Sequence, residues 1–145
     1  SMLDRIYPSW EAYLEVVKSS PYIDRWEPAM ESYYRADVKE VETGVTPRPA
    51  LANILAASKG LGAVPWPKVL PRVKHSTLLV HAADAYADGE PLLWEHDALE
   101  TVALLPDARY AAVRGNHQTM LYGNGAADTV HAVRQFYTGL GAVPA

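Results

Sequence analysis

There is no cysteine among the 145 residues, so disulfides, thiolate nucleophiles and cysteine-ligated metal sites are excluded. A basic excess is absent too. Thirteen Lys and Arg stand against seventeen Asp and Glu, for a formal net charge of −4. Nothing there would displace counterions along a phosphate backbone, and nucleic acid is not an expected partner. No apolar run approaches the roughly 18–20 residues needed to span a bilayer, so no membrane partner is expected. Residues 1–7 hold neither the basic stretch nor the apolar core of a secretion signal, and the expectation is a soluble, cytoplasmic chain. There is no HExxH, no EF-hand loop and no paired His/carboxylate spacing, so no metal and no cofactor is expected. The nucleophile elbow G-x-S-x-G is likewise missing. What is present suits a folded globule of one ordinary domain's length, with 49% apolar and 21% charged residues.

Aromatic rings crowd the front of the chain, where Tyr7, Trp10, Tyr13, Tyr22, Trp26, Tyr33 and Tyr34 all precede residue 35. Residues 60–73 carry Gly60, Gly62, Pro65, Pro67 and Pro71 and read as a connector, which divides the chain near residue 70 into segments 1–70 and 71–145. The first segment reads as three short amphipathic helices. Ser9 can cap a helix with Trp10, Tyr13, Leu14 and Val17 on one face, ended by Ser19, Ser20 and Pro21. Asp24 with Glu27 has the spacing of a capping box, and Asp37–Glu42 reads as polar loop. Thr46 and Pro47 look like the cap and first position of a third helix that stops at Gly60. Rings spaced three and four apart serve either as core or as the lining of an apolar pocket, and both readings stand.

After residue 70 the period changes. Residues 76–83 (STLLVHAA) form a short apolar run that suits a strand buried on both faces. Residues 91–105 have helical spacing, 109–113 (RYAAV) read as a second strand, and 126–140 carry a helical stripe of Val130, Val133, Tyr137 and Leu140, with Gly139 and Gly141 as stops. Strand, helix, strand, helix implies a parallel crossover. Two parallel strands alone leave a row of unpaired N–H and C=O groups on each outer side. Either a third strand is hidden in the loops or another chain completes the sheet.

The candidate chemistry gathers at the strand ends. Gly115-Asn116-His117-Gln118-Thr119 follows the second strand directly, at the carboxyl end where open α/β sheets place ligands. A histidine there can act as a general base, or it is an ordinary loop residue with local hydrogen bonds. Asp84 lies just past the first strand and Asp88 four residues on, 33 and 29 positions before His117. One crossover of roughly 30 residues brings such positions side by side, where a carboxylate can orient an imidazole. Asp in Ala-Asp-Ala-Tyr-Ala-Asp-Gly is equally an ordinary turn residue. His75, His81, His96 and His131 are weaker candidates, and Gly123-Asn124-Gly125 reads as a helix-entry turn rather than a phosphate cradle.

Taken together, these segments resemble part of an α/β-hydrolase of the serine-hydrolase type. YPSWEAYLEVVKSSPYIDRWEPAMESYYRADV is similar to a helical lid, VKHSTLLVHAADAYADGEP to the seventh strand with its acid loop, and LLPDARYAAVRGNHQTMLYG to the last strand with its histidine loop. The resemblance implies an incomplete α/β-hydrolase fold, a helical lid followed by the last two parallel strands and their helices. His117 would be the catalytic base and Asp84 the acid, with Asp88 as second choice. Alanine stands where the family usually has glycine after strand seven, and the acid is not in the commonest register. The serine elbow, the oxyanion-hole loop and six strands lie outside the chain, so the expected partners are a small hydrophobic acyl substrate and an N-terminal half or second chain that completes the sheet. The alternative is a non-catalytic ligand-binding or interaction module that uses the aromatic helices and an open sheet edge.

Overall fold

In the computed structural model, which describes residues 2–86 and 88–140, Ser9 caps the first helix by accepting the Ala12 N–H on its hydroxyl at 3.2 Å. That helix, α1 (Trp10–Lys18), buries Tyr13 and Val17 and ends at Ser19, as its spacing predicts. The next helix, α2, runs Pro28–Ala36 rather than from Asp24. Proline forces the residue before it into extended backbone, and Glu27 is extended there. The Glu27 carboxylate meanwhile pairs with Arg25 at 3.0 Å instead of closing a capping box.

The expected polar loop after α2 is a hairpin. Strands β1 (Val38–Val41) and β2 (Gly44–Pro47) pair antiparallel from Val38↔Pro47 to Val41↔Gly44. Thr46 and Pro47 are therefore strand residues, not a helix start. The third helix, α3 (Leu51–Gly62), begins later and runs through Gly60, and its Leu51 N–H is capped from a distance by the Asp4 carboxylate at 3.2 Å. Tyr7 adds an antiparallel bridge to Val45 through two hydrogen bonds of 2.8 and 2.9 Å. Around it Tyr7, Tyr13, Val17, Ile23, Met30, Tyr34, Val38 and Val45 form the buried core. The rings are largely core: Tyr7 meets Tyr13 edge-on at 5.2 Å and Trp26 stacks on Tyr34 at 5.9 Å. Tyr33 is exposed, and α3 buries no residue, leaving Leu55 60% and Leu61 58% exposed.

Residues 1–64 make one unit, Ser1–Val64, and the rest another, Pro65–Ala145, so the boundary precedes the expected division near residue 70. The proline-rich stretch is not a plain connector. It holds a one-turn helix, α4 (Trp66–Val69), and a 3₁₀ turn at Leu70–Arg72. Strand β3 (Thr77–Ala82) and strand β4 (Ala108–Val113) then pair in parallel, from Thr77↔Ala108 to Ala82↔Val113. Helices α5 (Glu95–Leu104) and α6 (Gly123–Gly139) both pack on this pair. The chain is thus mixed α/β, with six α-helices and two small sheets among the described residues.

Two expectations need correction here. Strand β3 is not buried on both faces: residues 77–80 are only half-buried, and only His81 and Ala82 are covered. The missing cover is lateral, since among the described residues each of these strands has one strand neighbour. The hidden strands exist, but they form their own antiparallel sheet. In α6 the stripe of Val130, Val133, Tyr137 and Leu140 points away from the strands and is exposed. On another face Gly125 is buried, and Ala126, Ala132 and Phe136 are half-buried. Gly141 lies outside the described residues. No helix among them is long and apolar enough to cross a membrane.

The hairpin depends on Gly44. Its φ is +141°, and a Cβ at this position would overlap the Tyr7 carbonyl that bridges to Val45. Gly44→Ala is expected to lower stability by about 1–3 kcal/mol, the usual cost of forcing a side chain into such backbone, read as a lower urea midpoint. An unchanged midpoint contradicts the assignment.

Candidate functional site

The ends of β3 and β4 are sewn together past the last strand pair. The Asp84 N–H donates to the Gly115 carbonyl at 3.2 Å, and the Gly115 N–H donates back to Asp84 Oδ2 at 3.1 Å. A carboxylate has two oxygens and about four acceptor positions. Oδ1 of Asp84 has no hydrogen-bond partner among the described residues. Gly115 has φ +99°, and a Cβ there would press on Thr119 Oγ1 and Met120 N at 2.8 and 2.9 Å, so the chain turns sharply only with glycine.

The loop that follows is held by hydrogen bonds at nearly every residue. Arg114 binds the Asp128 carboxylate through its own N–H at 3.2 Å and through Nε and Nη2 at 2.6 and 2.7 Å, which fastens the end of β4 to α6. Asn116 is 2% exposed. Its Oδ1 accepts the N–H groups of Gln118 and Thr119 at 2.9 and 3.0 Å, and its Nδ2 donates to the Ala85 carbonyl at 3.0 Å. Met120 N–H closes the turn on the Asn116 carbonyl at 3.0 Å, leading into the 3₁₀ turn Thr119–Leu121. The Gln118 amide nitrogen is buried without a partner among the described residues, which costs about 1–3 kcal/mol for an ordinary donor.

His117 is the exception in this loop. Its side chain is exposed, and its imidazole makes no hydrogen bond among the described residues. Its ring contact is the Tyr86 ring, met edge-on with centroids 5.5 Å apart. Asp84 and His117 therefore lie on two loops joined by the Asp84–Gly115 and Asn116–Ala85 bonds, but the Asp84 carboxylate is spent on Gly115 N–H rather than on the imidazole. Asp88 takes no part in the hydrogen bonds of this seam among the described residues. It sits exposed with φ +53° ahead of Gly89, in a turn closed by Tyr86 N–H to the Glu90 carbonyl at 2.7 Å.

The other histidines separate by burial. His81 is 3% exposed and satisfied at both ring nitrogens. Nε2 lies 2.8 Å from the Leu93 carbonyl, an acceptor, so that nitrogen carries a proton. Nδ1 lies 2.8 Å from the Tyr110 hydroxyl oxygen. The same hydroxyl lies 3.3 Å from Glu95 Oε1, and burial, followed by the Glu95 charge, pushes the Tyr110 phenol up. This network ties β3, β4 and α5 together, and its one trace in the sequence is a polar ring in an apolar run. His75, His96 and His131 are exposed, His96 beside Asp97 at 3.3 Å. Among the described residues no cluster of three or more His, Asp or Glu could hold a metal ion. No protein-family model, no curated protein and no solved structure matches the chain.

The Arg114–Asp128 pair gives the loop a pH limit. Hydrogen bonding from the Arg114 side chain, with smaller help from its backbone N–H and its charge, lowers the Asp128 carboxyl from an ordinary 3.8 to about 2. A lowered carboxyl pKa contributes stability that is complete above the unfolded value and is lost as pH falls through the folded one. The anchor is thus expected to hold at neutral pH and to release between about pH 4 and pH 2. Carboxyl-carbon NMR should place the Asp128 midpoint near 2, and Arg114→Gln should return it toward 3.8. A wild-type midpoint at 3.8 would contradict the pairing.

Proposed function

We propose that this chain is the lid-and-tail portion of a serine-type α/β-hydrolase, with the nucleophilic serine outside it. The observation that carries the proposal is His117: a free, exposed imidazole on a loop otherwise pinned by hydrogen bonds, at the carboxyl end of a parallel strand. Rigid presentation with an unoccupied ring is what a general base requires. In this reading the serine hydroxyl proton passes to one nitrogen of His117 as the oxygen attacks an acyl carbonyl. The resulting imidazolium then returns the proton to the leaving group, and backbone N–H groups outside the chain hold the oxyanion. Asp84 is the acid of choice, since its Oδ1 is left over after Gly115 is served. Asp88 remains second.

The outer sides of β3 and β4, unpaired among the described residues, support a missing N-terminal half or second chain as partner. The substrate in this reading is a small hydrophobic acyl compound, although most rings of residues 1–64 are spent on their own core. A second reading, a non-catalytic interaction or ligand-binding module, is favoured by α3, a twelve-residue helix that buries no residue, and by the same open strand edges.

The test is this chain purified together with the polypeptide that bears the G-x-S-x-G elbow, assayed on p-nitrophenyl butyrate. His117→Ala is expected to lower kcat by about three orders of magnitude or more with KM little changed. Turnover close to normal in that variant removes His117 from the chemistry. A folded 15.9 kDa monomer that needs no serine-bearing companion favours the module.

A further inference from the structure

We propose that Asn116 is a positioning residue for His117, fixing where the imidazole stands before any partner or substrate arrives; this rests on the reading of His117 as a base. A carboxamide taken wholly out of water costs free energy unless its donors and acceptor are met, and Asn116 is among the most deeply buried side chains of the chain. Its two ends do different work. Oδ1 gathers the N–H groups of Gln118 and Thr119 and the Thr119 hydroxyl, at 2.9, 3.0 and 3.2 Å. The Asn116 N–H in turn donates to that hydroxyl at 2.9 Å. These bonds bracket His117 on both sides and set the direction in which its side chain leaves the loop.

Nδ2 reaches in the other direction, across 31 positions of sequence, to the Ala85 carbonyl at 3.0 Å. Ala85 lies between Asp84 and Tyr86, the proposed acid and the ring that touches His117. The one amide nitrogen therefore holds the acid loop against the base loop. The partners also settle which end is which, because N–H groups face the oxygen and a carbonyl faces the nitrogen. Asp84 contributes the neighbouring stitch through Gly115, but that stitch ends one residue earlier and leaves residues 117–119 untouched.

The asymmetry provides the experiment. Asn116→Asp keeps the acceptor for Gln118 and Thr119 but sets a carboxylate oxygen against the Ala85 carbonyl, whereas Asn116→Ala removes both functions. In NMR of the full chain, the wild type is expected to show a nuclear Overhauser contact between the Tyr86 and His117 rings and slow amide exchange at Gln118 and Thr119. Asn116→Asp should lose the ring contact while those amides keep their protection. Asn116→Ala should lose the contact and exchange at least tenfold faster. In the serine-bearing assembly Asn116→Asp should lower kcat at least tenfold with KM unchanged. A wild-type chain without the ring contact or without protected amides overturns the proposal, and it needs no variant to fold. So does an Asn116→Asp chain that keeps both the contact and full turnover. If Asn116→Asp breaks the contact while His117→Ala leaves turnover intact, the staple stands and the base assignment falls.

Discussion

The parallel pairing of β3 with β4 is the constraint from which the rest follows. It aligns two carboxyl ends, and only that alignment brings Asp84 within reach of Gly115 and Asn116 within reach of Ala85. Without it the histidine loop would have nothing to lean on but α6. The same pairing is incomplete, because each strand spends one side on the other and has no strand on its far side among the described residues. Parallel strands are ordinarily flanked and covered. An unsatisfied buried backbone group costs about 1–3 kcal/mol, so these edges must face water or another strand. The aligned loops and the open strand edges thus come from one geometric fact.

Unpartnered apolar surface is consistent with that view. In residues 65–140 the α6 stripe of Val130, Val133 and Tyr137 lies exposed, with Val130 at 49%. Within residues 2–64, α3 has the composition of a buried helix and buries nothing. Contiguous exposed apolar faces on soluble domains usually mark contact surfaces. The fixed parts of the molecule are polar by contrast. The His81–Tyr110–Glu95 network, the Arg114–Asp128 pair and the Asn116 staple are directional contacts that specify one arrangement of the strand ends. Apolar burial in the second unit is modest, with Ala82 and Ala98 its buried apolar residues among those described.

Legibility in the sequence followed how local the cause was. The order of elements after residue 70 could be read because apolar runs and helical stripes are short-range patterns, and β3, α5, β4 and α6 lie close to where the patterns put them. The β1–β2 hairpin could not, since Val38–Pro47 alternates weakly and its turn depends on Gly44 fitting beneath the Tyr7 carbonyl. Thr46–Pro47 imitates a helix start by chemistry alone, and tertiary pairing to β1 overrides it. His117 was visible as a loop histidine after a strand. Asn116 stood out only as the neighbour of His117, because its partner across the seam, Ala85, is 31 residues away. The stripe on α6 was real but faced the wrong way, since periodicity marks an apolar face without saying what covers it.

The parallel pair is held to need a flanking strand that the described residues do not provide. Amide hydrogen exchange along β3 and β4, residue by residue, tests it most directly. In the isolated chain the N–H groups turned away from the shared ladder should exchange at nearly the free rate, and they should slow at least a hundredfold once a serine-bearing companion is bound. Full protection of those outward groups in a monomer of this chain would contradict it.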